Sequence, residues 1–276
     1  MSAEGRFQSR DGLEFFERRW EPADVARGNL VLLHGYGEHC GRYDYTARAL
    51  NEIGLSVHAY DQRGHGRSPG KRGYIRRFDL LLEDLDCYLA HVGGRLAGRP
   101  LFLMGHSMGG LVLALYAQRR KVDVRGLVFS SAFVAIPGDV SRLLIGLAGV
   151  LGRLTPWLAV ARVDSKAIAR DPAVVEAYEK DPLVHHGKIL ARTGAQLNGA
   201  IGRAHAGFEA ITAPVYIIHG AEDRLVPAEG SRQLHARCRS ADKTCIIYEG
   251  AYHELLNDRE KDTVLADLCA WLGERL

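Results

Sequence analysis

The sequence predicts an α/β protein with a mostly parallel central sheet, helices on both faces of that sheet and an inserted helical cap. Two observations support this prediction. Strand-like and helix-like segments alternate along residues 1–131 and again along residues 208–276, which is typical of a parallel sheet covered on both sides. Residues 132–207 break the alternation and indicate several short helices, because prolines divide the segment. We therefore expect residues 1–131 and 208–276 to form the core and residues 132–207 to form the cap.

Each element of the predicted core has its own signal. Residues 7–20 contain two strand-like runs around Asp11-Gly12, a dipeptide that favours a hairpin turn. Short apolar, partly β-branched runs predict buried strands, and apolar residues at helical spacing predict helices. After the hairpin, strands are predicted at residues 29–33, 55–60, 101–104, 124–130, 215–219 and 244–248. Helices are predicted at residues 42–53, 78–92, 108–119, 228–238 and 261–272.

Composition excludes several classes of protein. The 276 residues are 47% hydrophobic and carry a formal net charge of +3, which is too small and too scattered for a nucleic-acid-binding surface. The five cysteines form no CxxC pair, and their odd number argues against a disulfide framework. The N-terminus lacks the apolar stretch of a signal peptide, and no apolar run approaches the ~20 residues that span a bilayer. We expect a cytoplasmic protein.

One motif predicts a nucleophile. Residues 105–109 read Gly-His-Ser-Met-Gly and match G-x-S-x-G, with a predicted buried strand before the motif and an apolar helix after it. In this strand–turn–helix context the serine is held exposed above the sheet, and the glycines let neighbouring backbone pass closely. The alternative, in which Ser107 only caps the helix, does not require this context. We therefore expect Ser107 to be the nucleophile of a hydrolase.

A serine hydroxyl needs a base, and the base needs an orienting acid. His253 lies in a loop between the strand at 244–248 and the last helix, and Asp223 follows the strand at 215–219. Their order after Ser107 is the order Ser, Asp, His that is expected for an α/β-hydrolase. Glu222 is a direct rival for the acid, whereas Asp258 follows His253 and would break the order.

The same chemistry needs two backbone N–H donors that stabilise an oxyanion, each worth about 2.7–4 kcal/mol of barrier. One donor is expected from Met108, the residue after the nucleophile, and the other from the loop after the early strand at 29–33. We assign the second donor to Tyr36 in that loop.

Taken together, these residues resemble the monoacylglycerol lipase and lysophospholipase family of α/β-hydrolases. The segments that carry the resemblance are HGYGEHCGRY (34–43), DQRGHGRS (61–68), GHSMGG (105–110), GAED (220–223) and YEGAYH (248–253). The resemblance implies the α/β-hydrolase fold, a small lipid ester as the substrate, no cofactor, and a cap whose apolar lining receives the acyl chain. It also implies that Glu38 and Arg42 lie near the polar head of the substrate, and a structural salt bridge between them is the alternative.

The sequence departs from the animal monoacylglycerol lipases at two positions. The bulky Tyr36 stands where they have a small residue, and Leu256 replaces a histidine in the turn after His253. Both departures leave the head group of the substrate open, between glycerol and phosphoglycerol.

The predicted cap is unusually apolar in one segment. Its apolar residues there are Leu143, Leu144, Ile145, Leu147, Val150, Leu151, Leu154, Trp157 and Leu158. Some of them must pack on the core, and the rest could line an acyl tunnel or make transient contact with a membrane surface. We assign Leu147, Val150 and Leu151 to substrate binding.

The sequence therefore predicts a carboxylic-ester hydrolase that cleaves monoacylglycerols or lysophospholipids through an acyl-enzyme. Alternatives on the same fold are a short-chain carboxylesterase and an aminopeptidase, in which Glu176 and Glu179 would hold the substrate's amino group. A non-enzymatic scaffold is disfavoured because the serine, aspartate and histidine are all present. No cluster has zinc-ligand spacing, so we expect no metal. The sequence does not predict the oligomeric state.

Overall fold

A computed structural model describes residues 2–96, 98–119, 123–136 and 142–276, apart from the side chains of residues 142–145. Pro137, one of the prolines that divide residues 132–207, and the side chains of Leu143, Leu144 and Ile145 therefore lie outside the described residues.

The strands form one large sheet and one small sheet. In chain order they are β1 (Ser2–Gln8), β2 (Glu14–Trp20), β3 (Gly28–Leu33), β4 (Leu55–Tyr60), β5 (Leu101–His106), β6 (Gly126–Ser130), β7 (Ala159–Ala161), β8 (Ile189–Leu190), β9 (Val215–Gly220) and β10 (Lys243–Tyr248). Within the described ranges, the large sheet has eight strands in the order β1-β2-β4-β3-β5-β6-β9-β10. β2 is antiparallel to β1 and β4, and the pairs from β4 to β10 are parallel. The predicted α/β-hydrolase fold class and opening hairpin are confirmed.

Helices cover both faces of this sheet, and further helices lie in the chain between β6 and β9. They are α1 (Asp44–Glu52), α2 (Asp79–Leu96), α3 (Met108–Arg119), α4 (Arg142–Leu154), α5 (Pro172–Lys180), α6 (Ala191–Ala206), α7 (Glu229–Arg237) and α8 (Lys261–Gly273). Neighbouring residues of β3 point to opposite faces. Leu30 and Leu32 pack in the apolar cluster with α1 and α8, whereas Val31 and Leu33 pack in the cluster with α2 and α3. Burial on both faces explains why the last four residues of β3, Leu30 to Leu33, are all apolar.

The chain between β6 and β9, which we call the β6–β9 segment, holds α4, α5, α6 and the small β7–β8 sheet. Strands of three and two residues are too short to show a period in sequence, so the analysis above did not predict them. Pro172 begins α5, and the Asp171 carboxylate before it accepts a hydrogen bond from the N–H of Ala173 at 2.9 Å. Among the described residues, no helix is long and apolar enough to cross a membrane.

Candidate functional site

The turn between β5 and α3 holds Ser107 in a strained conformation. Its φ of 51° lies in the left-handed region, which side chains other than glycine rarely adopt. A Cβ on Gly105 would lie 2.4 Å from the carbonyl oxygen of Gly109, and a Cβ on Gly109 would lie 2.2 Å from that of Leu33. Glycine is therefore required at both positions for the turn to fit beside β3, as the G-x-S-x-G pattern predicts.

His253 and Asp223 meet at the same end of the sheet, after β10 and β9. The Nδ1 of His253 lies 2.6 Å from Oδ2 of Asp223. The other carboxylate oxygen accepts the backbone N–H groups of Leu225 and Val226 at 2.8 and 2.9 Å. Because the carboxylate is fixed by these bonds, it holds the imidazole in one orientation and leaves its Nε2 for other contacts.

The electrostatics of this pair favour a charged imidazole. Burial opposes ionisation of Asp223, but the charge of His253 and hydrogen bonds from His219 and His253 outweigh it and lower the pKa of the carboxyl. Burial likewise opposes protonation of His253, but the Asp223 carboxylate outweighs it and raises the pKa of the imidazole above its ordinary 6.5. The arrangement therefore stabilises the imidazolium that forms when the histidine takes a proton.

The rival acids lie elsewhere. Glu222 is exposed to solvent. Asp258 is buried, and its two oxygens accept the backbone N–H groups of Arg170 and Asp171, each at 2.9 Å. Asp258 therefore ties the β6–β9 segment to the loop before α8, and the structure brings only Asp223 of the three to His253.

A cavity of about 750 Å³ lies between this end of the sheet and the β6–β9 segment. Ser107, His253, Tyr36 and Met108 all line it. The N–H of Met108 lies in the first turn of α3, where backbone donors have no partner within the helix. A Cβ on Gly35 would lie 3.2 Å from the Cβ of Ser107, so the loop after β3 passes directly beside the serine.

The Tyr36 side chain is held in place by three contacts of its own. Its hydroxyl donates to the carbonyl oxygen of Gly73 at 2.8 Å, and its ring packs edge-on against His65 and His185. The bulky side chain of Tyr36 therefore fills the space between the loop after β3 and the β6–β9 segment.

Comparisons with known proteins show the family of this chain. The family model described as serine aminopeptidase, S33, matches residues 24–260. A monoacylglycerol lipase of Mycolicibacterium smegmatis is 38% identical over 274 residues, which cover 99% of this chain and 98% of that protein. The chain belongs to the monoacylglycerol lipase family of α/β-hydrolases. The resemblance drawn from the sequence motifs is thereby confirmed, and the protein is a serine ester hydrolase.

Two further members of the monoacylglycerol lipase family extend the comparison. The monoglyceride lipase of Rattus norvegicus is 34% identical over 269 residues, which cover 96% of this chain and 89% of that protein. The crystal structure of Paleococcus ferrophilus monoacylglycerol lipase superposes with a TM-score of 0.86 at 36% identity, and covers 95% of this chain and 99% of that one. The likeness includes the β6–β9 segment, because nearly the whole of each chain is matched.

Of the three apolar residues that the sequence analysis assigns to substrate binding, only one lines the cavity. Leu151 lines the cavity together with Ala148, one helical turn before it. Leu147 and Val150 are 43% and 53% exposed and lie outside the lining, which corrects their placement. Gly152 of α4 packs closely against α6, because a Cβ on Gly152 would lie 2.6 Å from the Cβ of Ala195. This contact determines which side of α4 faces inward.

Glu38 and Arg42 form a salt bridge with each other, and Glu38 also lines the cavity, so its contact with the head group stays a prediction. The Nη1 of Arg42 donates to Oε2 of Glu38 at 3.1 Å, and both side chains are nearly buried. The Oε1 of Glu38 accepts the N–H of Gly35 at 2.6 Å and the hydroxyl of Tyr43 at 2.7 Å. Burial opposes ionisation of Glu38, but the charge of Arg42 outweighs it and lowers the pKa of the carboxyl to about 2.

Glu254 is a second carboxylate partner of Arg42, and the sequence analysis did not identify it. Arg42 donates to both of its carboxylate oxygens, at 2.6 and 2.7 Å, and the guanidinium lies 4.9 Å from the ring centre of Tyr178 in α5. Glu254 directly follows His253, so its position beside the predicted base was the available signal. We call Glu38, Arg42 and Glu254 the Arg42 bridge.

The described part of the chain contains no group of three or more histidine, cysteine, aspartate or glutamate side chains that could hold a metal ion.

Proposed function

We propose that this enzyme hydrolyses monoacylglycerols through an acyl-enzyme formed on Ser107. The short contact between His253 and Asp223, beside the strained Ser107 on the wall of one cavity, carries the proposal. His253 takes the hydroxyl proton as the Ser107 oxygen bonds to the ester carbon, and then passes that proton to the departing glycerol oxygen. Water repeats the sequence on the acyl-enzyme and releases the fatty acid.

The backbone N–H groups of Tyr36 and Met108 are the proposed donors to the oxyanion. Both residues line the cavity, on the two segments that flank Ser107. A carbonyl oxygen placed between them would gain negative charge in the transition state, where each donor is worth about 2.7–4 kcal/mol.

Residues 132–207 are the proposed cap, and its apolar lining is the proposed acyl site. The cap residues that contribute apolar side chains to the cavity include Leu151, Val160, Ile189, Leu197 and Ile201. Each buried methylene of an acyl chain is worth about 0.8 kcal/mol, so this lining favours long chains over acetate. The family relatives compared above are named monoacylglycerol or monoglyceride lipases, which supports glycerol as the head group.

A lysophospholipid is the second candidate substrate, and one observation favours it. Arg162 and Arg224 both line the cavity, and guanidinium groups suit a phosphate. Hydrolysis rates for one acyl chain carried on glycerol and on a phosphoglycerol head group decide between the two substrates.

The aminopeptidase alternative finds less support. Glu176 is exposed and pairs with Lys180, and Glu179 accepts a hydrogen bond from Ser165. Neither carboxylate is among the cavity-lining residues, so neither is placed to hold an amino group. An aminoacyl amide in the substrate panel tests this alternative directly.

Leu151→Asn is expected to reduce kcat/KM on decanoyl esters about 10-fold or more, because a buried leucine contact is worth roughly 1.5–3 kcal/mol. Hydrolysis of acetate esters should change little. Leu147→Asn is the matched control, since this exposed residue one turn away should leave both rates within about 2-fold. Rates are measured below the critical micelle concentration. Equal losses on both esters would point to the short-chain carboxylesterase alternative.

We also propose transient contact between the cap and a membrane surface. One exposed apolar patch on α4 and the residues after it supports the proposal. Its members and their exposed fractions are Leu147 (43%), Val150 (53%), Leu154 (74%), Trp157 (58%) and Leu158 (49%).

The double variant Val150→Glu/Leu154→Glu is expected to reduce co-sedimentation with phosphatidylcholine vesicles about 10-fold, because it places two charges at an apolar contact. Val25→Glu is the control, since Val25 is 88% exposed but lies far along the chain from this patch. Activity on a soluble acetate ester should stay unchanged in both variants. Undiminished vesicle binding of the double variant would exclude this surface.

A further inference from the structure

A second histidine contacts the carboxylate of Asp223. His219 lies in β9 and is fully buried. Its Nε2 is 3.1 Å from Oδ2 of Asp223 and 2.9 Å from the carbonyl oxygen of Val226. Its Nδ1 is 2.7 Å from the hydroxyl oxygen of Ser231 in α7. The sequence analysis did not single out either His219 or Ser231.

These contacts determine where the ring carries its hydrogen. A carboxylate and a carbonyl oxygen are both acceptors, so the Nε2 that faces them must be the donor. Nδ1 of the neutral ring then accepts the hydroxyl hydrogen of Ser231. The serine thereby favours the one tautomer in which the histidine donates toward Asp223.

The Asp223 oxygen that faces His219 is the same oxygen that bonds to His253. Oδ2 lies 2.6 Å from Nδ1 of His253, whereas Oδ1 is occupied by backbone N–H groups. A donor on Oδ2 fixes its position and draws off part of the negative charge that His253 experiences. Loss of this donor would leave the Asp223 carboxylate less well oriented, and it would attract the protonated imidazole of His253 more strongly.

We propose that His219, held in one tautomer by Ser231, is a positioning residue for the Asp223–His253 pair. The proposal rests on the proposed function of that pair. His219 does not reach the cavity lining, so it acts through Asp223 and not on the substrate.

Two amide replacements separate the two ring nitrogens. The amide nitrogen of glutamine takes the place of Nε2, and the amide oxygen of asparagine takes the place of Nδ1. His219→Gln keeps the donor toward Asp223 and should retain kcat/KM within about 3-fold. His219→Asn keeps only the acceptor for Ser231 and should lose about 10- to 100-fold, the worth of a hydrogen bond to a charged group.

The pH profile supplies a readout that a purely structural role would not move. The acid limb of kcat/KM reports protonation of His253 in the free enzyme. His219→Asn should move this limb to higher pH, because the carboxylate then stabilises the imidazolium more strongly. The other groups that act on His253 are Glu254, Glu38 and the ring of His106, 4.8 Å away, and they are unchanged in every variant. Equal losses in the two variants, with an unmoved limb, would overturn the proposal.

Ser231→Ala gives a second test that does not depend on the asparagine variant folding. As a single substitution it should lower kcat/KM about 3-fold. Added to His219→Gln it should cause no further loss, because the glutamine amide has no tautomer to select. The same loss in both backgrounds would contradict the inference.

Ser107→Ala keeps the two proposals distinct. If Ser107→Ala is inactive and the His219 variants keep wild-type kcat/KM, only the positioning role is rejected. If Ser107→Ala is active, the proposed function is rejected.

Discussion

Ser107→Ala is expected to abolish ester hydrolysis, with a loss of about 10³-fold or more, and to abolish labelling by an organophosphonate ester. The strained turn presents this residue at the cavity that His253 also lines. The neighbouring hydroxyls are engaged in other contacts, since Ser130 faces His106 at 3.3 Å and Ser131 donates to the carbonyl oxygen of His253 at 2.8 Å. Removal of Ser107 is therefore expected to leave the proposed site without a nucleophile.

Intact-mass spectrometry measures the label, and a circular-dichroism melt verifies that the variant is folded. Ser130→Ala is the matched control and should still be labelled stoichiometrically, because Ser130 is fully buried and is not among the residues that line the cavity. Wild-type turnover by Ser107→Ala would reject the assignment of the nucleophile.

Asp223→Asn is expected to lower kcat about 10⁴-fold, because an amide at this position disturbs the tautomer of His253 and leaves its imidazolium without a counter-charge. The residual activity should also respond differently to pH. The carboxylate raises the pKa of His253, so its removal lowers that pKa and moves the acid limb of kcat/KM to lower pH.

Glu222→Gln is the control for this variant. Glu222 is the neighbouring carboxylate and is exposed, so its loss should change kcat less than about 2-fold. A large loss of kcat in Glu222→Gln together with a small loss in Asp223→Asn would show that Glu222, and not Asp223, is the acid.

The sequence predicted those parts of the site that local rules determine. Two glycines and a strand–turn–helix context locate Ser107, and the convergence of parallel strands at their carboxyl ends brings Asp223 and His253 together from distant segments. The hydrophobic pattern also predicted the sheet and most helices within a few residues. The turn at Ser107, the strands and the helices depend on residues close together in the chain, whereas the approach of His253 to Asp223 follows from the parallel arrangement of β9 and β10.

The remaining features arise from contacts between segments far apart in the chain. Arg42 and Glu254 are separated by 212 positions, and no periodicity links them. The assignment of Leu147 and Val150 to substrate binding was wrong for a related reason. Leu147, Val150 and Leu151 are all apolar, so the composition of the helix does not distinguish its cavity side from its exposed side. The packing of Gly152 against α6 makes that distinction.

The Arg42 bridge has a consequence for how this enzyme can be recombined with its relatives. One guanidinium joins the loop after β3, which carries Tyr36, to the residue that follows His253. Removing one partner of a buried ion pair leaves an uncompensated charge and typically costs about 3–5 kcal/mol. A chimera that exchanges only the N-terminal third of the chain therefore inherits half of a matched pair. We expect such a chimera to keep this bridge only where the other parent supplies a carboxylate at position 254 that can pair with Arg42.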